Sequence, residues 1–297
     1  LVIFVAVYAM SQGRADFSRV TVFETPEDKS IFLAVTTATS LAFFAMVGFE
    51  DSVNMAEETR EPTKIFPTMM LTGLSITGLI YVLVSMSAVA LVPPGELSKE
   101  GATPLLLVVQ TGAPNLPIGA IFPFISMFAV ANSALINMLM ASRLLYGMAR
   151  EGVLPPVLGR VHQSRRTPWV ALIFTTLLAV GLITFVGQVS QLGGTTALLL
   201  LGVFTLVNVA VLVLRKDKVE HDYFTAPSWL PVIGALSCAY LVGPWTGRST
   251  DQYWIAAVLI GIGVLLSVLM FLFNKSQHKP TRFEHPDDDL GTRRPLN

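Results

Sequence analysis

Long apolar runs constrain this chain more than any other feature of its sequence. Most of the stretch between Ile31 and Phe273 consists of apolar segments about as long as the hydrocarbon core of a bilayer is thick. Such segments must be helical, because lipid offers no hydrogen-bond partners to backbone amides and carbonyls. Only 13% of the 297 residues are charged, whereas soluble domains carry roughly 25%. The sequence therefore predicts an all-α, polytopic membrane protein.

Seven of these segments are long enough to span a bilayer as helices. They are Ile31–Asn54, Thr68–Val92, Ile118–Met148, Pro168–Val186, Val189–Leu214, Ser228–Trp245 and Tyr253–Phe273. The apolar start, residues 1–10, has about half the length that a span requires. We expect it to be the end of a truncated helix in a chain that is a fragment. Residues 11–273 then hold the spans and loops, and residues 274–297 form a disordered tail.

The basic residues predict the orientation of the chain. With the connections assigned alternately to the two sides, 15 Lys and Arg residues fall on one side and 5 on the other. The positive-inside rule places the richer side, and with it the C-terminal tail, in the cytoplasm. We therefore expect a multi-pass protein of the cell membrane, in contact with lipid. The net charge of zero gives no support for a nucleic-acid partner.

Two smaller patterns concern loops. Thr103 followed by Pro104 is typical of a helix start and predicts a short helix to Gln110 in an external connection. That helix would either cover an outer vestibule or lie passively at the interface. Gly193-Gly194 predicts a tight turn with close packing.

Several chemistries lack their usual sequence signals. The chain has no H-E-x-x-H or Walker pattern, no T-V-G-Y-G filter and no ladder of arginines within a span. An intramembrane hydrolase, an ATP-driven pump and a voltage-gated channel are therefore disfavoured. We expect a protein that is not an enzyme and that needs no metal or cofactor.

The segment from Phe43 to Asp51 is the best candidate for a functional site. If its helix is unbroken from Ile31, Glu50 lies at the cytoplasmic interface, where a carboxylate carries no special meaning. If the helix breaks near Val47-Gly48, both acids lie inside the membrane, where charge is costly and usually functional. Broken helices also expose backbone groups to substrates and ions. The physics of the sequence leaves these alternatives open.

Side chains near this segment also have two interpretations. Phe43, Phe44 and Phe49 are either packing residues or a cover over a ligand. The third span carries a stripe of small and polar residues typical of helix packing. Its members are Ser126, Ala129, Ser133, Asn137 and Ala141. Asn137 is the member that we most expect to face a cavity.

These residues resemble the amino acid–polyamine–organocation superfamily of permeases. Residues 44–50, Phe-Ala-Met-Val-Gly-Phe-Glu, are similar to the core of the family's sixth helix, and Glu57-Glu58 to Pro67 is similar to the loop after it. Residues 142–155 resemble the end of the eighth helix, and Arg165-Arg166-Thr167-Pro168 resembles the entry to the ninth. The resemblance implies an inverted-repeat transporter fold, of which this chain would hold the end of helix five through helix twelve.

The resemblance also implies roles for single residues. Phe44 matches an aromatic gate over the substrate, and Ala45, Met46 and Val47 match an unwound backbone whose carbonyls hold an amino group. Gly48 matches the hinge, and Glu50 matches an acid tied to proton-sensitive opening. Asn137 matches a substrate-facing position.

Together these features predict a secondary active transporter for amino acids or related small amines, working by alternating access. Proton-coupled symport and exchange both remain open. The rival interpretations are a non-transporting receptor or assembly subunit on the same fold, and a channel. A fragment without the family's first helix is not expected to transport by itself.

Overall fold

All regular structure in the described part of the chain is helical. The computed structural model describes residues 1–22, 30–53, 59–99, 103–115, 117–162, 164–165, 167–186, 189–216 and 224–276, and none of these forms a β-strand. The α-helices of these ranges are α1 (Val2–Ser11), α2 (Ile31–Ala42), α3 (Pro62–Leu91), α4 (Pro94–Leu97), α5 (Pro104–Gly112), α6 (Ile118–Arg150), α7 (Trp169–Val186), α8 (Val189–Leu214), α9 (Trp229–Val242) and α10 (Thr250–Ser276). The predicted all-α class is confirmed.

Six helical segments of the described chain are long and apolar enough to cross a membrane. They are Ile31–Val53, Pro62–Leu91, Ala120–Arg150, Trp169–Val186, Gln191–Leu214 and Thr250–Phe273. Most of their surface is apolar and exposed, as expected for helices that meet lipid. The protein is therefore a multi-pass membrane protein, as predicted.

The predicted seventh span, Ser228–Trp245, is not one continuous helix. The helix there, α9, has 14 residues and ends at Val242, so it is about 21 Å long. Gly243 is extended, with φ −66° and ψ 154°, and Pro244 follows it. A residue before proline is driven out of the helical region by the proline ring, which explains why the apolar run outlasts its helix.

The chain divides into two compact units, Leu1–Ala134 with Leu200–Gly247, and Leu135–Leu199 with Arg248–Asn297. The sequence instead predicted boundaries after residues 10 and 273. Those boundaries stay a prediction. Of the predicted tail, residues 277–297 lie outside the described residues.

In the first unit, the core is built by α1, α3 and α5. Val108 and Val109 of α5 are fully buried against Val5 of α1 and Val92 beyond α3. The predicted loop helix is thus present as α5, and it is a packed part of this core. Its first residue is Pro104, as predicted, although the side chain of Thr103 makes no capping hydrogen bond.

In the second unit, a buried arginine joins α8 to the start of α10. Arg248 is 8% exposed, and its Nη1 donates to the carbonyl of Gly194 at 2.8 Å and to Oε1 of Gln252 at 3.4 Å. Burial lowers the pKa of the Arg248 guanidinium, an effect that nearby Tyr253 opposes. Gly194 lies within α8, so the predicted turn is wrong. The predicted close packing is present instead, against Gln252.

Candidate functional site

The candidate site begins where α2 ends. Ser30 caps the start of α2 by accepting a hydrogen bond from the N–H of Leu33 at 3.3 Å. The helix continues for 12 residues, to Ala42, which corresponds to about 18 Å. A bilayer core is about 30 Å thick, so a helix that starts at one interface and stops after this length ends inside the membrane.

Beyond Ala42 the chain changes conformation three times within a few residues. Phe43–Met46 form a 3₁₀ turn, and Val47 is extended, with φ −63° and ψ 139°. Gly48 has a φ of 118°, which residues with a side chain rarely adopt. A second 3₁₀ turn follows over residues 50–53. Of the two arrangements that the sequence left open, the structure has the broken helix.

The break exposes hydrogen-bond acceptors. The carbonyl of Phe44 accepts from the N–H of Val47 at 3.2 Å. No backbone N–H in the part of the chain that the structure describes lies within hydrogen-bonding geometry of the carbonyls of Ala45, Met46 or Val47. Each carbonyl oxygen has two lone pairs, and inside a membrane no bulk water serves them. Three consecutive carbonyls therefore offer a place for a ligand that donates hydrogen bonds, such as an ammonium group.

Glu50 is tied to the same break. The backbone N–H of Gly48 donates to Oε2 of Glu50 at 2.8 Å. This bond satisfies an amide that has lost its helical acceptor, and it places the carboxylate against the turn rather than at the end of a regular helix. The acid is thus part of the backbone geometry that makes the break.

The three nearby phenylalanines have different environments. The rings of Phe43 and Phe49 both pack on Phe204 of α8, with centroid distances of 6.0 Å and 5.5 Å. Phe44 is 45% exposed. Two of the three are therefore anchored to α8, and Phe44 is the one available to cover a ligand. No sequence signal distinguished Phe204 from the other apolar residues of α8.

A groove of about 310 Å³ lies between the break and α3. It is bordered by apolar and uncharged polar side chains from both elements. They are Ala45, Met46, Val47, Phe49, Ser52, Met69, Met70, Gly73, Leu74, Thr77 and Tyr81. Its volume is at the lower end of the range for small-molecule pockets. On the α3 side of the groove, Thr77 and Tyr81 carry the hydroxyl groups. Nothing in the sequence pointed to these two residues.

Of the predicted site residues, Ala45, Met46 and Val47 line this groove. Asn137 is an exposed residue of α6 and belongs to the second unit. The other six, Phe44, Ala45, Met46, Val47, Gly48 and Glu50, lie within residues 44–50 of the first unit. The predicted role of Asn137 stays a prediction. The acids Glu57 and Glu58 of the following loop lie outside the described residues.

The described part of the chain is thus a multi-pass, all-helical membrane protein in which one apolar helix is broken at a glycine. The chain belongs to the amino acid permease family, whose model matches residues 1–274. The resemblance seen in residues 44–50 and in the later motifs is thereby confirmed.

Curated relatives agree with this membership. The chain is 27% identical over 252 residues to the branched-chain amino acid permease BcaP of Bacillus subtilis, covering 84% of this chain and 52% of the relative. It is also 27% identical over 252 residues to the methylthioribose transporter of the same organism, covering 81% and 50%. A cationic amino acid transporter of Arabidopsis thaliana, described as mitochondrial, is 29% identical over 205 residues, covering 67% and 31%. The chain thus spans about half the length of the bacterial relatives.

Proposed function

We propose that this protein is a secondary active transporter for amino acids or related small amines and that it works by alternating access. The observation that supports it most is the break at Phe43–Gly48, where the carbonyls of Ala45, Met46 and Val47 accept no backbone hydrogen bond from the described residues. Inside a membrane, irregular backbone is tolerated only where it lines a cavity or is buried in protein. In transporters such breaks form substrate and ion sites near the middle of the bilayer.

In this proposal the carbonyls of Ala45, Met46 and Val47 accept hydrogen bonds from the substrate ammonium group. Phe44 closes over the bound substrate, and Gly48 is the hinge about which the lower part of the helix turns. The hydrogen-bond donors for the substrate carboxylate come from outside the described break. Asn137 is proposed as a further substrate-facing residue.

The groove favours a substrate with a neutral side chain. None of its lining residues is charged, and three of them are methionines, which adapt to apolar groups of different shapes. A lysine-like side chain would find no counter-charge in this lining, and burying an unpaired cation is costly. This preference is compatible with the name of BcaP and fits less well with that of the cationic transporter.

The coupling mode is proposed as proton-coupled symport, with exchange as the alternative. A carboxylate bonded to the hinge amide, as Glu50 is to Gly48, changes its hydrogen bonding when it is protonated and so links proton binding to the hinge. The protein is proposed to reside in the cell membrane with its C-terminal tail in the cytoplasm, on the strength of the distribution of basic residues.

Uptake into proteoliposomes that carry the full-length protein, including its first helix, tests the proposal. Labelled leucine should enter saturably and should be displaced by unlabelled leucine or isoleucine but much less by lysine or arginine. Counterflow without net current is expected for a transporter and would exclude a channel. If labelled amino acid binds but never crosses the membrane, the receptor interpretation replaces this one.

A further inference from the structure

A second cavity lies at the far end of α8, away from the break. It has a volume of about 460 Å³ and is lined by Arg215, Thr225, Ala226, Pro227 and Ser228. Arg215 directly follows the last residue of α8, and Ser228 directly precedes α9. The cavity therefore sits where two apolar helices leave the membrane, within the first unit.

The guanidinium group of Arg215 is held in place by neutral acceptors. Its Nη1 donates to Oγ of Ser228 at 2.8 Å, and its Nη2 donates to the carbonyl of Ala226 at 2.6 Å. A guanidinium group has five N–H donors. These two bonds fix its plane and leave donors for another ligand.

The charge of Arg215 has no carboxylate partner among the residues that the structure describes. No described Asp or Glu oxygen lies within 4.0 Å of its guanidinium nitrogens. Arg215 is half-buried, so its charge is only partly solvated. A positioned, partly desolvated guanidinium group with spare donors is suited to a phosphate oxyanion, which it binds with paired hydrogen bonds.

The surroundings of the cavity point to a lipid as the source of that phosphate. Val213 and Leu214, at the end of α8, are 56% and 63% exposed, which in a bilayer means contact with lipid. Phe224 and Trp229, on either side of the lining segment, are 57% and 60% exposed. Exposed aromatic rings at the end of a span lie at the level of the lipid headgroups.

We propose that Arg215 and the segment from Thr225 to Ser228 form a binding site for the phosphate of an anionic phospholipid. The guanidinium group binds the phosphate oxygens, and Phe224 and Trp229 flank the glycerol region. Phosphatidylglycerol should bind better than phosphatidylcholine, because the choline group of the latter adds a positive charge close to Arg215. The site is separate from the proposed transport site and does not depend on it.

Native mass spectrometry of the purified protein, titrated with phosphatidylglycerol or phosphatidylcholine, tests this proposal. The unmodified protein should retain phosphatidylglycerol in preference. Arg215→Gln should weaken that binding about tenfold, since one hydrogen bond to a charged group is worth at least this factor. Lys216→Gln is the matched control, because it removes the same charge from an exposed neighbour outside the cavity lining. It should bind nearly as the unmodified protein does.

Three outcomes would overturn the proposal. The first is equal binding of the two lipids, the second is an equal loss in both variants, and the third is unchanged binding by Arg215→Gln. Displacement of the lipid by inorganic phosphate at comparable concentration would assign the site to free phosphate. Should Arg215→Gln fail to fold, Arg215→Lys, which keeps the charge but loses the forked geometry, must bind the lipid more weakly than the unmodified protein, and equal affinity would reject the site.

Discussion

The backbone N–H of Gly48 donates a hydrogen bond to Oε2 of Glu50 at 2.8 Å. Two residues this close in sequence cannot meet in this way within a regular helix, where side chains point away from the axis. They meet because Gly48 has a φ of 118° and turns the chain back toward the acid. The break and the acid therefore stabilise one another, and each can be perturbed separately.

Replacing Glu50 by Gln tests the acid. The amide oxygen of Gln can still accept from Gly48, so the turn should persist, but the side chain no longer binds or releases a proton. We expect uptake to continue with a flattened pH dependence, measured as initial rates in proteoliposomes across a range of external pH. Asp51→Asn is the matched control and should alter the profile less. A pH profile of Glu50→Gln that superimposes on that of the unmodified protein would remove Glu50 from the coupling mechanism.

Replacing Gly48 by Ala tests the hinge. The added methyl group meets no atom within 4 Å, so its effect comes only from the positive φ. Such a conformation costs about 1–3 kcal/mol for a residue with a side chain. We expect a lower midpoint of thermal unfolding in detergent and a marked loss of uptake.

The control for this change is Gly78→Ala in α3. There too the new methyl group meets nothing within 4 Å, but the backbone is helical. Alanine is favoured over glycine in a helix by about 1 kcal/mol, so the midpoint should stay or rise. If both variants behave alike, the conformation of Gly48 is not what limits stability.

Alanine variants of Phe44 and Phe43 should separate an effect on substrate binding from an effect on packing. Phe44 is 45% exposed, whereas Phe43 packs edge-on against Phe204 at 6.0 Å. Phe44→Ala should weaken substrate affinity, measured by ligand-induced thermal stabilisation, with little change in the stability of the free protein. Phe43→Ala should lower stability by about 1 kcal/mol, the scale of an aromatic pair. Unchanged affinity in Phe44→Ala would leave Phe44 with no role at the site.

Gly194→Ala tests the packing around Arg248. A methyl group at Gly194 would overlap the amide of Gln252, which accepts a hydrogen bond from Arg248. Displacing a buried, hydrogen-bonded side chain in this way costs about 1–3 kcal/mol. Gly202→Ala, further along α8 and with nothing within 4 Å of the new methyl group, should be neutral or stabilising. Equal unfolding temperatures for the two variants would contradict the packing role of Gly194.

The sequence predicted the fold class correctly, because lipid offers the backbone no hydrogen-bond partners and so requires apolar spans to be helical. Apolar runs of sufficient length leave the backbone no choice but helix, so the positions of α2, α3, α6, α7, α8 and α10 followed from hydropathy. Hydropathy failed at α9, because a local conformational rule at Gly243-Pro244 ends the helix while the apolar run continues. Hydropathy also gives no sign that Arg248 is buried, although it packs against Gly194 and Gln252.

The candidate site, too, was predictable from the sequence only in part. Its residue types, an aromatic, a glycine and an acid in one apolar segment, were visible in the sequence, and so was the possibility of a break. Whether the helix broke was decided by the tertiary structure, because a regular helix through Gly48 was locally just as acceptable. Which phenylalanine stayed exposed depended on Phe204, more than 150 positions away, and no local pattern reports a contact across that separation. The sequence determined that this chain consists of apolar helices and that one of them can break at Gly48. Packing between distant parts of the chain decided that the helix breaks at Gly48 and borders a groove there. Local preferences permit both a regular and a broken helix, and only contacts with neighbouring helices select one of them.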